Sequence, residues 1–213
     1  MDILLIAATE AEIAPFLRLS DTQRRRFDIL ITGVGMVATA YAVGRRLANS
    51  SYRLLLNAGI AGSFDRSIAL GDVVCIAQDT LAELGAEDGE RFIDSESMNL
   101  APHTYHHDPG FTASLISNLR PCRGITVNTV HGYPPSIDAV VRRLQPETES
   151  MEGAAVFHAA QQAGLPVIQV RAVSNYVERR DRSSWEVALA IDNLNQWLMS
   201  FSERLDYPVD TKF

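Results

Sequence analysis

Several short stretches of this 213-residue chain carry side chains suited to proton transfer and hydrogen-bond recognition. Glu12, in "AATEAEI", follows the first apolar run and opens a helical pattern. Glu10 and Glu12 there read as helix-start acids favoured by the dipole, and one of them is also placed to act as a general base. Glu152, in "ESMEGAAVFHAA", precedes Gly153-Ala154-Ala155, a small-residue face that lets a helix pack deep. Met151 and Glu152 are then sheltered, and a sheltered carboxylate needs a partner, such as a pair of sugar hydroxyls. "RAVSN" delivers Ser174 and Asn175 at the end of an apolar run, where an amide either closes a turn or reads a ligand edge. "ITGVGMVATA" has the weak Gly-x-Gly-x-x-Ala form of a dinucleotide fingerprint. The next strand ends in Asn57-Ala58-Gly59, however, with no acid for a ribose, so no nicotinamide or other cofactor is expected. Glycines there and in "NAGIAGSF" allow backbone to approach a ligand or another strand.

Two other clusters invite chemistry and carry a plainer reading. His103, His106, His107 and Asp108 are spaced closely enough for a metal, but in a polar, Pro-flanked loop with nothing to fix their geometry. No metal is expected there. "VERRDRSS" reads as a solvent-facing charged loop in which Arg179, Arg180 or Arg182 could meet a substrate carboxylate.

The elements that position these residues follow from short apolar runs at 3–6, 29–31, 54–56, 73–76, 125–127 and 167–173, which read as buried strands. Helical patterns lie between several of them, at about 10–19, 36–48, 111–119, 136–144 and 152–163, with a last helix at 184–205 that includes Trp185. That alternation predicts an α/β fold with a largely parallel sheet, its ligand outside the carboxyl ends of the strands. The stretch 80–110 is acidic and irregular, and reads as a lid or an interface.

Length and an apolar fraction of 46 % fit one domain spanning 1–213. A net charge of -7 leaves no basic footprint for nucleic acid or an anionic membrane surface. No run is long enough for a signal peptide or a membrane span, and two cysteines without metal spacing fit a reducing cytoplasm.

In order, "AATEAEI", "TGVGMVATAYA", "NAGIAGSFDRSIALGDVV", "ESMEGAAVFHAA" and "PVIQVRAVSN" resemble the nucleoside phosphorylase/nucleosidase family. The likeness is greatest to its methylthioadenosine/S-adenosylhomocysteine nucleosidase and futalosine hydrolase branch. It implies a three-layer α/β/α sandwich around a mixed, partly barrel-like sheet, a homo-oligomer, and a nucleoside as substrate. It also implies roles: Glu12 activates water, Met151 and Glu152 bind ribose, Arg171 lies near the nucleophilic water, and Asn175 contacts the purine. Gly59, Ile60 and Ser174 join them as binding residues.

Two departures from the adenine-specific members bear on substrate. Ile60 stands where those enzymes have a serine, which removes a hydroxyl contact to the water. Asn175 stands where they have aspartate. Adenine pairs an N7 acceptor with a 6-amino donor, matched by a protonated carboxyl. Hypoxanthine offers acceptors at N7 and O6, matched by an amide with two N–H donors. The expected activity is therefore a futalosine hydrolase-like release of hypoxanthine from a 6-oxopurine nucleoside, a step of menaquinone biosynthesis by the futalosine route. An adenine nucleosidase, a phosphorylase and a non-catalytic nucleoside binder are the rival readings.

Overall fold

A computed structural model describes residues 2–107 and 110–206. Its strands are β1 (Ile3–Ala7), β2 (Phe27–Ile31), β3 (Leu54–Ser63), β4 (Val73–Leu81), β5 (Gly85–Asp88), β6 (Arg91–Asp94), β7 (Thr104–His106), β8 (Arg120–Thr126), β9 (Thr148–Ser150) and β10 (Val167–Tyr176). The helices are α1 (Ala14–Leu17), α2 (Met36–Leu47), α3 (Ala113–Ile116), α4 (Pro134–Leu144), α5 (Gly153–Ala163) and α6 (Val187–Asp206). Strands β3, β10, β4, β8 and β9 pair in sequence and return to β3, so five of them close a ring, while β1 and β2 extend it as an open sheet. Parallel pairs (β1–β2, β1–β3, β3–β10, β4–β8, β8–β9) mix with antiparallel ones (β4–β10, β3–β9, β4–β7). The fold is the mixed, partly barrel-like α/β sandwich that the motif order implied.

Every residue of β1 is buried because both faces of the sheet are covered, which is why the strand reads as an unbroken apolar run. Leu5 faces Phe16, Leu194 and Trp197, so α1 and α6 form one outer layer. Leu4 and Ile6 face Val43, Val156 and Phe157, so α2 and α5 form the other. Each such buried aliphatic contributes roughly 1.5–3 kcal/mol over its exposed state.

Three expectations need correction. The helix expected over 10–19 is a 3₁₀ turn, Glu10–Ile13, followed by the single turn α1, since Pro15 cannot continue the hydrogen-bond ladder from the preceding turn. The last helix begins at Val187, leaving Trp185 in the chain that enters it. Residues 80–110 are more regular than expected: β5 and β6 form a hairpin, and β7 pairs with β4.

His103 lies 3.2 Å from Glu96, and His107 Nδ1 lies 2.7 Å from the Val167 carbonyl. Among the described residues no cluster of three potential ligands holds a metal geometry, and Asp108 lies outside them. Cys75 and Cys122 are free and buried, and burial pushes both thiols up to about 12. No helix among the described residues is long and apolar enough to cross a membrane.

Candidate active site

The carboxyl ends of β1, β3 and β10, together with β9 and the start of α5, enclose a cavity of about 430 Å³. Glu12, Ile60, Met151, Glu152, Ser174 and Asn175 all line it, residues separated by up to 163 positions in the chain. Gly59 and Arg171 are not among the lining residues. They stand behind the wall, against the side chains that are.

Glu12 reaches the cavity because the 3₁₀ turn follows β1 directly. Its Oε2 accepts from the Thr9 backbone N–H and hydroxyl, each at 3.0 Å, and its Oε1 accepts from the Ile60 N–H at 3.0 Å. Ile60 thus supplies through its backbone a contact that its side chain cannot. Three donors fix this carboxylate at the floor of the cavity, 8 % exposed.

Glu152 is the residue at the N-cap of α5 rather than in its first turn. Its Oε1 accepts from the Gly35 N–H at 3.0 Å, and Gly35 has φ +96°, a conformation open to glycine and strained for other residues. The glycine turn after β2 therefore serves a carboxylate of this chain, and the dinucleotide reading of that turn has no role left to explain. Glu152 Oε2 takes no hydrogen bond among the described residues and lies 4.0 Å from Arg171 Nη2.

Arg171 is the largest fully buried side chain, 1 % exposed. A charge so buried needs partners. Its Nη2 donates to Asn57 Oδ1 at 2.7 Å and its Nε to Gln169 Oε1 at 3.1 Å, while Gln169 Nε2 donates to Asp79 Oδ2 at 2.8 Å. Thr126 donates to the other Asp79 oxygen at 2.9 Å and accepts from the Ala154 N–H at the start of α5. Burial pushes the Asp79 carboxyl up to about 6, against the opposing pull of Gln169, Thr126 and Arg171. Two glycines make room for this chain of polar groups. A Cβ on Gly59 would collide with Arg171 Nη1 and stand 2.7 Å from Glu12 Oε1. A Cβ on Gly153 would collide with Gln169 Oε1 and Asp79 Oδ2.

Ser174 and Asn175 sit at a register slip of β10 against β3, where Val173 pairs with Ala61 and Asn175 with Gly62. The slip turns both side chains to the cavity, which an unbroken strand would not do. Ser174 Oγ lies 2.8 Å from Asn175 Oδ1 and 3.3 Å from the Ala61 carbonyl, and the Tyr176 carbonyl, which can only accept, fixes the other end of the amide as its nitrogen. One N–H of that nitrogen goes to the Tyr176 carbonyl at 3.0 Å, leaving one donor for a ligand in this arrangement.

Motif reading missed a polar pair on the same wall. Glu149, 4 % exposed, accepts from the His131 N–H at 3.0 Å and pairs with His131 Nδ1 at 2.7 Å. Val130, His131 and Gly132 line the cavity. Nothing in the spacing of His131 and Glu149 signals their pairing, which comes from β9 lying beside β8, the strand that His131 follows. The outer part of the cavity is lined by Tyr176, Glu178, Arg180, Trp185, Val187 and Ile191, with the Arg180 guanidinium 5.0 Å from the Trp185 ring centre. No described residue of 80–110 lines it, so the described part of the stretch expected as a lid or an interface does not cover the cavity.

The sequence pattern of the Phosphorylase superfamily matches residues 23–206. The chain belongs to that superfamily. Within it, the futalosine hydrolase of Acidothermus cellulolyticus is 37 % identical over 175 residues, covering 78 % of this chain and 71 % of that one. A structure of a futalosine hydrolase mutant of Helicobacter pylori superposes with a TM-score of 0.81 at 15 % identity, over 96 % of this chain and 99 % of the other. A Streptococcus pneumoniae 5′-methylthioadenosine/S-adenosylhomocysteine nucleosidase, solved with a transition-state inhibitor, superposes at 0.80 with 22 % identity, over 97 % and 100 %. The structural matches establish the superfamily's fold, and the relatives make this chain an enzyme of the nucleosidase class.

Proposed function

We propose that this enzyme hydrolyses the N-glycosidic bond of futalosine, a 6-oxopurine nucleoside with a bulky aromatic 5′-extension, and releases hypoxanthine in menaquinone biosynthesis. The observation that carries the choice of base is the Ser174–Asn175 pair. With Oδ1 engaged by the serine hydroxyl, the amide presents N–H to the ligand, which suits the acceptors at N7 and O6 of hypoxanthine. Delivering both N–H groups requires the Tyr176 contact to be exchanged for the base. The futalosine hydrolase relative at 37 % identity supports the same reading.

As the C1′–N9 bond stretches, the sugar becomes oxocarbenium-like and the purine gathers negative charge, so the site must stabilise both and hold a water below C1′. Glu152 Oε2 takes the ribose hydroxyls beside Met151. Glu12 takes the proton of the attacking water. Arg171 acts from behind, holding Glu152 and the strand ends in place rather than touching the water, and Asn175 steadies the departing base.

Water is favoured over phosphate because Glu12, Glu149, Glu152 and Glu178 line the cavity, whereas its one lining arginine, Arg180, lies at the rim. That arginine and Trp185 also fit an aromatic 5′-group bearing a carboxylate. A homo-oligomer belongs with this reading, supported by a strip of exposed apolar residues beside the cavity at Val34, Val37 and Tyr41.

Incubation with futalosine, inosine and methylthioadenosine, with the released base identified, tests the proposal. Hypoxanthine from futalosine is expected as the dominant product at a rate independent of phosphate. Preferential release of adenine from methylthioadenosine would sink the 6-oxopurine reading, and phosphate dependence would sink hydrolysis.

A further inference from the structure

We propose that His131, oriented by Glu149, reads the N1 edge of the purine: its Nε2 accepts the N1–H that hypoxanthine carries and adenine lacks. This builds on the 6-oxopurine reading and supplies a second group that chooses the base.

The placement comes from strand register. Gly62 on β3 pairs with Asn175 on one side and with Glu149 on the other. A Cβ on Gly62 would stand 3.2 Å from Asn175 Nδ2 and 3.6 Å from Glu149 Cγ, so the two side chains converge over one glycine. His131, paired with Glu149, lines the same cavity as the amide, and its ring packs edge-on to Phe64 with centroids 6.2 Å apart.

The chemistry follows from the 2.7 Å contact of His131 Nδ1 with Glu149 Oε2. A carboxylate only accepts, so the ring proton is assigned to Nδ1. In the neutral ring Nε2 is then a lone-pair acceptor, and it makes no hydrogen bond among the described residues. The hypoxanthine edge runs acceptor at N7, acceptor at O6, donor at N1. Asn175 followed by His131 presents donor and then acceptor along that edge. Adenine places a lone pair at N1, which would face the lone pair of Nε2, so the same group that favours one base opposes the other.

Inhibition of turnover by hypoxanthine, 1-methylhypoxanthine and adenine, measured on the unaltered enzyme, His131→Ala and Glu149→Gln, tests this. The unaltered enzyme is expected to bind hypoxanthine on the order of 100-fold more tightly than either other base, and His131→Ala to bring the three within about threefold. In Glu149→Gln the amide can accept from the His131 N–H and donate to Nδ1, moving the ring proton to Nε2. The adenine-to-hypoxanthine ratio should then rise about tenfold. Equal binding of hypoxanthine and 1-methylhypoxanthine by the unaltered enzyme would overturn the inference, as would equal weakening of all three bases in both variants, the mark of a merely structural role. A preference of the unaltered enzyme for adenine would instead defeat the 6-oxopurine reading beneath it.

Discussion

On its inner side the cavity is bounded by Glu12 and Glu152, each 8 % exposed or less and each held by backbone amides. On its outer side the run from Tyr176 to Trp185 carries charge in the open: Glu178 bridges Arg66, and Arg180 stacks on Trp185. The difference is one of what each group would lose by moving. An inner carboxylate that shifted would strand buried N–H groups, costing about 1–3 kcal/mol for each one left unpaired. A rim arginine that shifted would trade a weak contact for water. The inner wall is therefore suited to a task that needs fixed groups, and the rim to contacts that can change from one ligand to another.

Substitutions on each side break or sharpen that contrast. The largest effect is expected at Glu12. Glu12→Gln keeps the acceptor for the Ile60 N–H but removes the base, so turnover should fall about 10³-fold with little change in KM. Stopped assays of base release check this, and a retained turnover would leave the floor of the cavity with a scaffolding role only.

Behind the inner wall, Asp79 gives a stability signature. Its carboxyl lies at about 6 in the folded chain against an ordinary 3.8, so the folded state holds the proton more tightly than the unfolded one. The stabilisation this affords is fully present below about 4 and is lost as pH rises through about 6, a change of about 3 kcal/mol. Urea unfolding across that window should show the loss in the native sequence and a flatter profile in Asp79→Asn. An unchanged profile would mean that Arg171 holds Asp79 ionised throughout.

The smallest effect belongs to the rim. Arg180→Ala should raise KM for futalosine about tenfold, leave kcat in place, and leave inosine, which lacks the extension, unaffected. Equal effects on both nucleosides would place Arg180 at the ribose rather than at the 5′-group.

How much of this could be read from residues alone follows the same division. The strands β1, β3 and β10 were legible because burial on both faces writes itself as an apolar run, and the site residues just beyond their ends were legible by position. Gly35 was visible as a turn glycine, but its service to Glu152 links residues 117 apart and leaves no local trace. Asp79 and Gln169 look like ordinary strand polar residues until the ring of strands closes and points them at Arg171. The extent of α1 is hidden because Pro15 sits inside an otherwise helical pattern, and the hairpin β5–β6 because its strands are short and mostly polar.

The register slip at Ser174 has one further effect. An amide looks nearly the same to a ligand when turned over, and at Asn175 the Tyr176 carbonyl removes that ambiguity while the adjacent hydroxyl holds Oδ1. The hydroxyl can reach it only because two successive residues face one way. Recognition and its orientation device are thus inherited as a pair of neighbours on one backbone. Passage of such an enzyme from one purine class to the other would take an exchange at position 175 together with one at His131, with the serine and the slip left as they are.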